Sequence, residues 1–211
     1  MSYYFDYGAT SLKKPKEVAD KVYEVLSSGK YANASRGSYY EANNAFREVY
    51  EARKAVADFF GLKEEDRMVF TSNSTESLNI AIFGLLNKED HVVTTSMEHN
   101  SVLRPIYLAH ETIGCDYTIV RGDKTGMISY EDLEAAIRPN TKMLAITHSS
   151  NVTGNVIDLE KVATNFWFFQ SYAKSTNTLW SVKTFMSCKT QYINAQLFHI
   201  YRYYSRCLRN I

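Results

Sequence analysis

Apolar residues recur at helical spacing early in the chain and at strand spacing further on. In PKEVADKVYEVLSSG, Val18, Val22, Val25 and Leu26 form one stripe of an amphipathic helix. Pro15 suits its first turn, and Gly29 supplies a stop. A polar loop, YANASRGS, follows. The next periodic stretch, YYEANNAFREVYEARKAVADFFG, predicts a longer helix with Phe46, Val49, Val56 and Phe59 on one face and Gly61 as its close.

The pattern then alternates. RMVFT, HVVTT, CDYTIV and KMLAIT are short apolar runs that predict strands. STESLNIAIFGLLN, SVLRPIYLAHETIG and SYEDLEAAIR predict helices between them, and another helix opens at Asp158. Strand–helix alternation of this kind predicts an α/β fold, a mostly parallel sheet with flanking helices. Ligands of such sheets lie beyond the carboxyl ends of the strands. The loops at those ends are SNST, SMEHN and HSSNVTG, rich in hydroxyls, amides and histidine.

Each loop has a chemical reading and a plain one. Ser74 and Thr75 open a helix, where free amides and the positive dipole end favour a phosphate, or they are an ordinary cap. The flat imidazole of His99 can stack on an aromatic ring or move protons, or it caps the next helix. Asn151 can donate to a phenolate-like oxygen, or it is a turn residue ahead of Gly154. GDKTG lacks the spacing of a nucleotide phosphate loop and reads as a turn. His91, His110, His148 and His199 show no metal spacing and read as surface or capping residues.

Composition divides the chain in two. Residues 1–163 hold all 23 acidic residues and 18 of the 24 basic ones, a net −5, while 164–211 carry +6. The tail has 12 aromatics in 48 residues and no Asp, Glu, Gly or Pro. Three scattered cysteines argue against a disulfide framework or a zinc site. The opening residues are not a signal peptide, and no apolar run approaches a bilayer span, so a cytoplasmic protein is expected.

Five segments in order, YFDYGATSLKKP, ASRGSYYEA, FTSNSTESLN, SMEHNSVLRP and HSSNVTGNVIDL, resemble the class V aminotransferases, in particular their cysteine desulfurase-like branch. The resemblance covers residues 3–163 and implies part of a fold type I large domain that uses pyridoxal 5′-phosphate (PLP). It implies that Ser74 and Thr75 hold the cofactor phosphate, His99 stacks on the pyridine ring and Asn151 bonds its O3′ oxygen. Ala9 would line the substrate side, although Tyr7-Gly8 stands where the family has Asn-Ala. The family acts on an amino acid, cysteine in this branch, transfers sulfur or an amino group, and builds its site across a homodimer.

The family also needs an Asp at the ring nitrogen, a Schiff-base Lys following a His, and, for desulfuration, a reactive Cys. The tail contains no Asp, its Lys174, Lys183 and Lys189 follow no His, and Cys188 and Cys207 sit in no matching motif. The expectation is therefore a truncated, inactive member: 1–163 from the family, 164–211 an aberrant basic tail of the composition that a shifted reading frame in AT-rich DNA yields. The family's next strands would lie between KMLAIT and RMVFT, which leaves RMVFT without sheet neighbours. The other reading is a non-catalytic fragment whose tail binds RNA by stacking and charge, or docks on a protein as a helix through Leu179, Val182 and Met186.

Overall fold

The computed structural model describes residues 3–5, 12–59, 65, 68–162, 182–185 and 197–200. The chain divides into two compact units, Ser11–Ser72 and the remainder.

In the first unit, α1 (Lys16–Ser27) begins after Pro15 and ends at Ser28, with Gly29 in the left-handed conformation at φ +65°. The second helix is α2 (Tyr40–Phe59). Polar groups tie the two together: Lys21 Nζ donates to Glu48 at 2.7 Å, and the Tyr31 hydroxyl donates to both Glu24 and Glu48. The apolar stripes behave differently from expectation. Val22 is 54% exposed, Leu26 80% and Phe46 58%, and α1 buries no residue. Small residues, Ala42 and Ala57, are what α2 buries.

RMVFT is not a strand. Residues 68–71 have no regular structure, with Val69 70% and Phe70 50% exposed. Its β-branched and aromatic residues favour a strand, but an extended segment without a paired neighbour has no ladder to join.

The second unit carries the sheet. Helix α3 (Ser74–Leu85) leads to β1 (His91–Thr95), α4 (Asn100–Ile113), β2 (Asp116–Val120), α5 (Tyr130–Ala135) and β3 (Thr141–Thr147). Two further strands, β4 (Val182–Phe185) and β5 (Leu197–Ile200), complete the order β2-β1-β3-β5-β4. The first three run parallel, and β5 pairs antiparallel with both β3 and β4. Strand β4 contains Val182, which corrects the helical reading of that stretch; Leu179 and Met186 lie outside the described residues.

Every residue of β1 is buried, as befits a strand covered on both faces. Alternation sends Val92 to a cluster with Leu78, Ile82, Val102 and Ile106, under α3 and α4. Val93 joins Leu133, Ile137, Leu144, Ile146 and Val162 on the opposite face. Each fully buried aliphatic side chain contributes roughly 1.5–3 kcal/mol.

His91 overturns its reading as a surface or capping residue. It is fully buried, with Nδ1 2.8 Å from the Thr141 hydroxyl and Nε2 2.9 Å from that of Thr118. Burial first, then the Arg138 guanidinium, push its pKa down to about 4. The folded chain therefore holds His91 neutral where the unfolded chain binds a proton, so its stabilisation is present above 6.5 and is lost as pH falls through 4. Discounted for solvent at the exposed Arg138, the loss is about 1–2 kcal/mol. Urea unfolding at pH 7 and pH 4 checks it: the stability difference between wild type and His91→Asn should shrink by that amount at the lower pH.

Candidate functional site

The carboxyl ends of the parallel strands β1 and β3 lead into the loops that carry His99 and Asn151. Helix α3 has 12 residues, about 18 Å, and β1 has five, about 16 Å. They are joined by a tight turn in which Asp90 Oδ2 accepts from the Asn87 N–H at 2.8 Å. The loops that follow β1 and β3 lie side by side, because the two strands pair in parallel and Glu98 after β1 bonds Thr147 at the end of β3.

The cap of α3 is Asn73, whose Oδ1 accepts from the Glu76 N–H at 2.9 Å. Ser74 and Thr75 are the first two helical residues, not the cap, and their amides have no helical acceptor to use. Ser74 is half-buried and Thr75 exposed. Their hydroxyls and amides, at the positive end of a helix, form a donor set suited to a phosphate.

His99 caps α4: its Nδ1 accepts from the Ser101 N–H at 3.1 Å and lies 2.8 Å from the Ser101 hydroxyl. The plain reading is thereby realised, and it does not exclude the chemical one. A neutral imidazole that accepts at Nδ1 carries its proton on Nε2, and this ring is exposed. Capping therefore fixes the tautomer and leaves the ring free to take a flat partner.

Asn151 is exposed in a turn braced from within. The Ser150 hydroxyl accepts from the N–H of Val152 and Thr153, Gly154 N–H donates to Ser150 C=O, and Ser150 N–H donates to Asn155 C=O. GDKTG is a turn, and it docks here: Asn155 Nδ2 donates to Thr125 C=O at 2.7 Å. Gly126, at φ +80°, packs so closely that a Cβ would meet Met97 at 2.8 Å and Asn155 at 3.0 Å. Ala9 lies outside the described residues.

Sequence reasoning missed Glu98. It is 8% exposed. Its Oε1 accepts from the Thr95 hydroxyl at 2.6 Å and the Thr147 N–H at 2.9 Å, and its Oε2 from the Thr147 hydroxyl at 2.6 Å. Burial pushes the carboxyl up to about 7, against the pull of the Thr147 and Thr95 hydrogen bonds. No local pattern signalled it, because two of its three hydrogen bonds come from Thr147, 49 positions away.

A family model described as Aminotransferase class-V matches residues 3–167. The chain belongs to the class V aminotransferase family. It is 32% identical over 166 residues to the cysteine desulfurase IscS of Dictyoglomus turgidum, covering 76% of this chain and 40% of that protein. It is 36% identical over 162 residues to a probable cysteine desulfurase of Pyrococcus abyssi, covering 75% and 39%. Among solved structures, the apo cysteine desulfurase of Thermococcus onnurineus NA1 superposes with a TM-score of 0.70 at 34% identity, covering 77% of this chain and 40% of that one. A structure described as SspA in complex with cysteine gives 0.71 at 33% identity, covering 80% and 48%. The chain thus spans about 40% of the length of the curated relatives it matches. Family membership confirms the expected partial α/β architecture. Among the described residues, no helix is long and apolar enough to cross a membrane.

Proposed function

We infer that the carboxyl edge of the parallel strands is the cofactor side of a PLP site of the cysteine desulfurase kind. What supports the reading is that the loops carrying His99 and Asn151 follow the paired parallel strands β1 and β3, in a chain of this family. Ser74 and Thr75 would hold the phosphate, His99 would lie against the ring, and Asn151 would donate to O3′. The donor set fits: helix-start amides with two hydroxyls, an exposed imidazole face of fixed tautomer, and an exposed amide. Ala9 would face the substrate. When bound, PLP supplies an electron sink for amino-acid chemistry.

The substrate class is an L-amino acid, cysteine first, because the similar proteins are cysteine desulfurases. Residues 164–211 are read as sequence largely from outside the family, since the acidic residues stop at Glu160 and the family match runs only four residues past 163, to residue 167. In this reading the chain is a truncated, cytoplasmic form that binds the cofactor without turning over substrate, and its homodimer contacts are incomplete.

Titration with 4′-deoxypyridoxine 5′-phosphate, followed by its fluorescence, tests the site without needing a Schiff base. The phosphate ester should strengthen binding at least about tenfold over 4′-deoxypyridoxine, near 1.4 kcal/mol. The double variant Ser74→Ala/Thr75→Ala should lose about that factor for the ester alone. Equal affinities with and without the phosphate would remove the reading.

A further inference from the structure

We propose that Glu98 is a positioning residue: its side chain staples the end of β1 to the end of β3 and thereby sets His99 against the turn that carries Asn151. The role given to those two residues rests on the reading above; the staple itself rests on geometry.

The β1–β3 ladder runs as far as Thr94 and Ala145. One residue further along β1 and two along β3, Thr95 and Thr147 are joined through the Glu98 carboxyl, at 2.6 Å to each hydroxyl and 2.9 Å to the Thr147 amide. The staple takes over where backbone pairing stops. Both threonines are buried, so each hydroxyl would lose the acceptor for its proton if the carboxyl were removed.

Pinning Glu98 inward has a consequence for its neighbour. The Met97 N–H donates to the Thr95 hydroxyl at 3.2 Å and the Glu98 N–H to the Thr95 C=O at 3.4 Å, so the turn has little freedom. With side chain 98 held in the interior, His99 turns outward and reaches the Ser101 amide as the cap of α4. On the other strand, Asn151 follows Thr147 by four residues through a turn in which the Ser150 hydroxyl accepts from the Val152 and Thr153 N–H groups. Thr147 fixes where that turn begins. A leucine of similar size would fill the same space without fixing either strand end, and a carboxyl in so dry a place stands at a cost that only its three partners offset.

Three variants, Glu98→Gln, Glu98→Ala and Thr147→Val, and three readouts test this. The His99 tautomer is read from long-range 1H–15N spectra, site geometry from affinity for 4′-deoxypyridoxine 5′-phosphate, and global stability from the thermal midpoint. Glu98→Gln keeps an acceptor and a donor at the right length. It should preserve the Nε2–H tautomer and hold affinity within about twofold of wild type. Glu98→Ala and Thr147→Val should give a mixture of tautomers and five- to tenfold weaker binding. If those two lower the thermal midpoint but leave tautomer and affinity at wild-type values, Glu98 is structural only and the proposal fails. It also fails if Glu98→Gln behaves as Glu98→Ala does. Should Glu98→Ala not fold, Thr147→Val, which deletes one hydroxyl and keeps the amide, decides alone. Absence of probe binding in wild type would overturn the cofactor reading, and the tautomer would still judge the staple.

Discussion

Supplied with L-cysteine and PLP, the purified chain should release sulfide no faster than the free cofactor does. Cysteine desulfuration by this family requires an amine placed to capture the cofactor, an acid that keeps the ring nitrogen protonated, and a thiol placed to accept sulfur. The chain has no Asp after Asp158. Its lysines in 164–211 follow no His, and Cys188 and Cys207 belong to no family motif. Cys115 is buried, and burial raises its thiol pKa, which makes it a poor nucleophile. Binding alone leaves most of the rate enhancement unrealised, because a group placed at the reacting atom supplies effective molarities of about 10⁵ M and above. The assay compares sulfide from chain plus PLP with sulfide from PLP alone. Turnover above that background, or a borohydride-trapped adduct on one particular lysine, would defeat the expectation. A null result together with tight binding of the phosphate ester would mark a cradle without its chemistry.

How much of this could be read from the chain follows from the range of each interaction. Strand β3 was legible from its apolar run MLAI, and β1 from the β-branched residues Val92, Val93, Thr94 and Thr95. Helix α4 was legible from its stripe and from Gly114, which takes the left-handed conformation at its end. RMVFT has the same local character as β1 and forms no strand, since strand propensity expresses itself only with a neighbour. Ser74, Thr75, His99 and Asn151 were singled out because each lies at or next to the boundary of a predicted element. His91 and Glu98 could not be found in this way. The hydroxyls that permit their burial come largely from residues distant in sequence, Thr141 and Thr118 for His91 and Thr147 for Glu98, and local pattern carries no trace of these. A polar residue beside a buried strand reads as solvent-facing until its cross-strand partner is known.

Ile106→Ala should destabilise the sheet-bearing unit by about 2–5 kcal/mol, the range for deleting a fully buried aliphatic side chain. Ile106 is 0% exposed and sits in the cluster that joins α3 and α4 to β1 and β3. Removing three carbons costs both the lost transfer energy and the cavity left behind. The neighbours able to collapse into it, Val102, Ala109 and Val92, are themselves fully packed. Against a typical stability of about 5–15 kcal/mol, the loss is a large fraction of the total. The effect reaches the site, because α4 is the helix that His99 caps. Leu108→Ala, two residues along the same helix, supplies the control: that side chain is 48% exposed, and the change should stay within about 0.5 kcal/mol. Urea midpoints of the two variants separate burial from helix propensity, since both place Ala in the same α4 interior. Equal midpoints for Ile106→Ala and Leu108→Ala would mean that α4 is not anchored through this face, and that the cap at His99 is held by its local hydrogen bonds alone.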